Sequence, residues 1–81
     1  MSTHLYALST CPYCRMTKKY LDEHDVAYTM TEVDLLEGDE KTATVEKVVT
    51  LSGGKSFPVL VVGEEVVVGF NKSRMNQLLG L

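Results

Sequence analysis

Leu5-Tyr6-Ala7-Leu8-Ser9-Thr10-Cys11-Pro12-Tyr13-Cys14 joins an apolar, strand-like run to the start of a helical pattern, and the only two cysteines of the chain stand at the junction. If Cys11 caps the helix and Cys14 lies in its first turn, the i,i+3 spacing puts both sulfurs on one side, close enough to form and break a disulfide. The pair therefore reads as a redox dithiol.

A thiol attacks as its thiolate, and a free cysteine ionises only near pH 8.5. A helix N-terminus favours the charged form through its unpaired N–H groups and the positive end of its dipole. Cys11 is thus expected to be the attacking residue. Pro12 suits the first helical position, because its φ is already helical and the N–H it lacks would have had no partner. Cys14, one turn inside, is expected to be shielded and to attack second, resolving the mixed disulfide that Cys11 forms. Arg15, Lys18 and Lys19 follow at once; they read as a solvated face that also adds positive potential near Cys11.

Other readings of the pair have less support. A structural disulfide closing so short a loop stabilises little through chain entropy. Zinc needs about four ligands, and the chain adds only His4 and His24, with no second pair of cysteines. His4 falls in or beside a strand, and His24 at a helix end suits the negative pole of the dipole.

The 81 residues, with 44% apolar content and a net charge of −3, describe one domain spanning 1–81. No low-complexity tract, repeat or membrane-length apolar run interrupts it. The acidic balance offers no basic stripe for a phosphate backbone, so neither nucleic acid nor a membrane is expected as a partner. Met1-Ser2-Thr3 leads into a strand without the basic and apolar regions of a secretory signal, which points to the cytoplasm. There an isolated Cys-x-x-Cys is more often catalytic than structural.

Strand and helix patterns alternate. Residues 4–9 read as a buried strand. Residues 12–24 read as a helix with Tyr13, Met16, Thr17, Tyr20 and Leu21 inward and Arg15, Lys18, Lys19 and Asp22 outward. Val26–Val33 reads as a second strand, and Leu35–Asp39 as a loop. A helix is expected from Asp39 or Glu40 to Leu51, with Ala43, Val45, Val48, Val49 and Leu51 on its apolar face, ended by Gly53-Gly54. Residues 57–62 and Val66–Val68 flank Gly63-Glu64-Glu65 as a hairpin. Asn71 is placed to cap a last helix from Lys72 to Leu79.

This β-α-β-α-β-β-α order, with Cys-x-x-Cys at the first strand-to-helix junction and Phe57-Pro58 opening the third strand, resembles the thioredoxin fold. The Cys11-Pro12-Tyr13-Cys14 tetrad and the Val68-Gly69 turn resemble the dithiol glutaredoxins over essentially the whole chain. The resemblance implies an α/β protein with a four-stranded mixed sheet, acting as a monomer without bound cofactor. It also implies a cis Pro58 packed against the cysteines, with the Phe57 backbone pairing to a peptide or to glutathione. By the same resemblance Pro12, Tyr13, Phe57, Pro58, Gly69, Phe70 and Asn71 would contact substrate. The residues alone would make Pro58 only a strand-starting proline.

The chain also departs from the glutaredoxin pattern. Where that family commonly has Gly-Gly followed by acids, holding glutathione, this chain has Gly69-Phe70-Asn71-Lys72-Ser73. The lysine often found ahead of the first cysteine is absent from Ala7-Leu8-Ser9-Thr10. Gly-Phe at this turn is similar to the glutaredoxin-like hydrogen donors of ribonucleotide reductase, which draw electrons from thioredoxin reductase but carry other tetrads. Gly69 and Phe70 also read as an ordinary turn residue and a core residue. Leu5 stands where thioredoxins keep a buried aspartate, so no side-chain base for Cys14 is evident. The expected function is thiol–disulfide oxidoreduction, an electron-transport activity serving cell redox homeostasis. Its expected substrates are disulfide-containing proteins or glutathione mixed disulfides, and the resemblance implies glutathione as the co-substrate. The alternatives are a thioredoxin-reductase-coupled donor to ribonucleotide reductase, and a dimeric carrier of an iron–sulfur cluster or metal.

Overall fold

In the computed structural model, which describes residues 3–54 and 57–80, the chain runs through seven main elements. They are β1 (Thr3–Ala7), α1 (Pro12–Glu23), β2 (Thr29–Glu32), α2 (Gly38–Ser52), β3 (Val59–Val62), β4 (Glu65–Val68) and α3 (Lys72–Leu79), with a short 3-10 helix at Val33–Leu35 after β2. The order is the one expected; the leading Met1 and Ser2 lie outside the described residues.

The four strands form one mixed sheet in the order β2-β1-β3-β4. β1 runs parallel to β2, pairing Leu5 with Met30 and Ala7 with Glu32, and antiparallel to β3. Side chains alternate across a strand, so the sheet divides its apolar residues between two faces. Leu5, Ala7, Leu60, Val62 and Val67 face α1 and α3, where Cys14, Leu21 and Met75 complete a core cluster. Tyr6 and Val59 face the other way and meet Val33 and Val48 of the α2 layer.

Several expected boundaries shift for local reasons. β1 stops at Ala7 because Leu8–Thr10 turn back, the Cys11 N–H donating to the Leu8 carbonyl at 3.3 Å. β2 starts at Thr29 and not at Val26. Asp25 adopts φ 54° and the Val26 N–H returns to the Leu21 carbonyl at 3.0 Å, so residues 26–28 finish the helix exit. Val33 leaves the strand for the 3-10 helix, and α2 begins at Gly38 inside the expected loop. Gly53, at φ 77°, ends α2 as anticipated, where a left-handed backbone favours glycine. β3 begins at Val59 and β4 at Glu65; Gly63, at φ 60°, occupies the first position of the two-residue turn between them.

The inward face of α1 also differs. Cys14, Thr17 and Leu21 are buried, whereas Tyr13 is 61% and Met16 46% exposed. Thr17 and Leu21 are inward as expected and Tyr20 is half-buried, but with a rotation of about 100° per residue the buried stripe runs through Cys14 and leaves Tyr13 and Met16 at its edge. Cys14 is a small apolar anchor that the aromatic and methionine side chains obscured. Thr17 tolerates burial because its hydroxyl donates to the Tyr13 carbonyl at 2.9 Å. On α2 only Val48 is fully buried; Val45, Val49 and Leu51 are half-buried and Ala43 is exposed.

Candidate active site

The two sulfurs owe their positions to the β1–α1 turn. Cys11 is the N-cap of α1 with an extended backbone (φ −83°, ψ 121°), and Pro12 opens the helix. The Cys14 N–H donates to Cys11 Sγ at 3.4 Å, so the first sulfur occupies the capping position that an oxygen usually fills. Cys14 Sγ in turn accepts the Leu8 N–H at 3.4 Å. Both thiols are free, Cys11 half-buried and Cys14 fully buried.

Burial pushes the Cys14 thiol up to about 11. The Leu8 N–H and, more weakly, the charge of Lys18 oppose that shift, while the hydrogen bond and negative charge of Cys11 reinforce it.

The turn is held from a residue that the sequence reading did not single out. Asp34, in the 3-10 helix, accepts the Ser9 N–H at 2.9 Å and the Ser9 hydroxyl at 2.5 Å. These bonds hold its carboxyl below the usual carboxylate range. The parallel register explains the encounter: Ala7 pairs with Glu32, and two residues further along each chain come Ser9 and Asp34. Without that register nothing in the sequence links them.

Opposite the turn, the Phe57–Pro58 peptide is cis, and Pro58 is buried. The Gly69 N–H donates to the Pro58 carbonyl at 2.8 Å, tying the β4–α3 turn to the proline. Gly69 has φ 77°, and Asn71 caps α3 by accepting the Arg74 N–H at 3.1 Å. Phe70 is half-buried, edge-on to Tyr20 with ring centroids 6.1 Å apart. Cys11, Phe57 and Phe70 thus converge on one core cluster, while Pro12 and Tyr13 point to solvent. A cleft of about 240 Å³ opens between Leu8, Val33, Val48 and Phe57, with Asp34 and Lys41 also lining it.

The two histidines lie outside this arrangement. The His4 ring spans Thr29 and Thr31 on the neighbouring strand, at 2.5 and 2.8 Å. Burial and Lys47 push its imidazole down. His24 caps the end of α1, its ring tilted by 56° against that of Tyr20 with centroids 4.4 Å apart. Among the described residues no group of three or more His, Cys, Asp or Glu side chains is placed to hold a metal ion.

Comparison with known proteins adds a family to this geometry. The glutaredoxin family profile matches residues 4–67. The glutaredoxin-like protein NrdH of Lactococcus lactis is 31% identical over 74 residues, covering 91% of this chain and 94% of that protein. Among solved structures, the glutaredoxin of Archaeoglobus fulgidus is similar with a TM-score of 0.92 and 37% identity, covering 96% of this chain and 85% of its own. Methanosarcina acetivorans methanoredoxin gives a TM-score of 0.92 at 34% identity, covering 99% and 85%. A profile shared over most of the chain, and a fold shared over nearly all of it, make this protein a member of the glutaredoxin family with a thioredoxin-like fold.

Proposed function

We propose that the protein is a dithiol–disulfide oxidoreductase in which Cys11 attacks and Cys14 resolves. The observation that carries this reading is the contrast of the two sulfurs on one helix turn, Cys11 at the N-cap and Cys14 buried behind it. The Cys11 thiolate attacks one sulfur of a substrate disulfide, and the other sulfur leaves as a thiolate that takes a proton from water. Cys14 then loses its proton and attacks Cys11 Sγ. The second substrate sulfur leaves, the Cys11–Cys14 disulfide closes, and two electrons have passed to the substrate.

The second step needs a thiolate from the group that burial keeps protonated. Two of the causes that hold Cys14 up, the hydrogen bond and the charge of Cys11, belong to the reduced pair. Once Cys11 is committed to a mixed disulfide its negative charge is gone, and the Leu8 N–H and Lys18 still favour an anion at Cys14. The resolving thiol therefore becomes more acidic at the stage where it must react. Water or the departing substrate thiolate takes its proton.

In this reading the protein acts as one glutaredoxin-like domain and a monomer in the cytoplasm, with glutathione as the co-substrate that reopens the disulfide and no bound cofactor. Among the described residues no helix is long and apolar enough to cross a membrane. A second reading, a donor recharged by thioredoxin reductase and serving ribonucleotide reductase, draws on Gly69-Phe70 and Lys72 at the α3 turn. There the Lys72 ammonium lies over the Phe70 ring at 5.7 Å. The NrdH name of the Lactococcus relative favours it too.

Turnover of bis(2-hydroxyethyl) disulfide decides between them. With NADPH, glutathione and glutathione reductase, the first reading expects steady turnover. Turnover only with thioredoxin reductase replaces the first reading by the second, and no turnover with either system overturns both.

A further inference from the structure

Charge is sorted along this chain. Residues 9–21 and 66–81 contain Arg15, Lys18, Lys19, Lys72 and Arg74, five of the eight basic residues, and none of the eleven acidic ones. The fold brings the two stretches together, because the second and third turns of α1 and the start of α3 enclose a groove of about 250 Å³ lined by Met16, Lys19, Tyr20, Phe70 and Lys72, with Glu23 from the end of α1. Neither helix has an acid in its first turn.

Most of this positive charge is uncommitted. Arg74 is paired with Glu65 at 2.9 Å. Lys19 meets Glu23 at 3.9 Å in a pair whose side chains are 78% and 58% exposed, a contact that water and salt weaken. Among the described residues Arg15, Lys18 and Lys72 form no ion pair. The Lys72 ammonium instead lies over the Tyr20 and Phe70 rings, 5.8 and 5.7 Å from their centroids. Tyr13 and Met16 continue an exposed apolar surface from the Cys-x-x-Cys turn toward the groove.

A protein of net charge −3 whose residues 9–21 and 66–81 carry no acid, with the neighbouring Asp34 tied to Ser9 and Glu23 facing Lys19, favours negative partners on this face. The cations do not converge on one point. Arg15 to Lys19 alone spans about 6 Å of helix rise, so the face matches carboxylates strung along a chain better than one compact anion. We propose that the first two turns of α1 and the start of α3 dock an acidic polypeptide segment flanking the cystine of a protein substrate. Its apolar side chains would lie on Met16 and Phe70. The inference rests on the oxidoreductase reading and names the substrate class for it.

The test uses pre-reduced protein in single turnover, so no outside reductant enters. Two cystine peptides differ only in their flanks, Glu and Asp in one, Gln and Asn in the other. Acidic flanks by themselves raise the pKa of the departing thiol and slow its release, so faster reaction of that peptide reports docking. The proposal expects the acidic peptide to react about tenfold faster at low ionic strength, a steering-sized effect. The advantage should vanish near 1 M salt, where the Debye length is about 3 Å. Lys19→Glu/Lys72→Glu should turn the preference toward the neutral peptide, and Lys47→Glu on α2 should leave it unchanged. Equal rates at low salt, or a preference that survives the double charge reversal, overturns the docking face while the oxidoreductase reading stands. Failure to reduce even the neutral peptide overturns both.

Discussion

At the first cysteine the chain is half open to solvent. Cys11 follows a turn pinned by Asp34, and its sulfur caps the helix that it begins. One turn deeper Cys14 is sealed among Leu5, Ala7, Leu21 and Leu60 and is held protonated up to about 11. The same element therefore presents one sulfur to substrates and withholds the other. The difference arises from where the helix axis lies over the sheet, since both side chains are chemically identical. A reactive pair needs no special residue beyond this offset, and the surroundings of each sulfur define its task.

The comparison can be broken most severely at its exposed end. Cys11→Ser should lower reduction of any disulfide by about 10³-fold or more, measured with bis(2-hydroxyethyl) disulfide. Activity near that of the wild type would mean that Cys14 reaches substrates unaided. Cys14→Ser should stop reduction of protein disulfides but, with glutathione as electron source, keep exchange of a glutathione mixed disulfide through Cys11 alone. Loss of both activities would favour the donor recharged by thioredoxin reductase.

The pH dependence of stability sharpens the contrast. An unfolded cysteine loses its proton near about 8.5, whereas folded Cys14 keeps its proton up to about 11. The contribution of Cys14 to stability is therefore complete below the unfolded value and is lost as pH rises through the folded one. The thermal midpoint of the reduced protein should fall across that window. The oxidised protein has no thiol to ionise and should not show this component.

Asp34→Asn should have the smallest effect. The Asp34 carboxyl lies below its usual range, so its contribution is present above the ordinary carboxylate pKa and lost as pH falls through the folded value. Urea midpoints between pH 3 and 7 should fall less steeply toward acid in the variant. An unchanged slope would show that the Ser9 latch does not hold the turn.

Much of this arrangement is legible in the sequence because it depends on local signals. Pro12 after a capping residue and Gly53 at a helix end act through their own backbones, Asn71 through a side chain that reaches only three residues on, and α1 and α3 start where Pro12 and Asn71 place them. What depends on distant pairing is harder to read. The shortening of β2 follows from Val26 bonding back to Leu21, and the Ser9–Asp34 latch follows from strand register. On α1, Thr17 and Leu21 are legible as inward, whereas Tyr13 and Met16 resemble core residues and are exposed, and Cys14 does not and is buried. Family likeness, and not spacing, suggested the cis Phe57–Pro58 peptide, since composition and periodicity carry no trace of it.

The central claim is that position on the helix divides attack from resolution, and competitive alkylation tests it most directly. Reduced wild-type protein should be treated with substoichiometric iodoacetamide at pH 7 and then mapped by peptide mass spectrometry. The account predicts carbamidomethyl label on Cys11 with almost none on Cys14. Equal labelling, or label chiefly on Cys14, would contradict it.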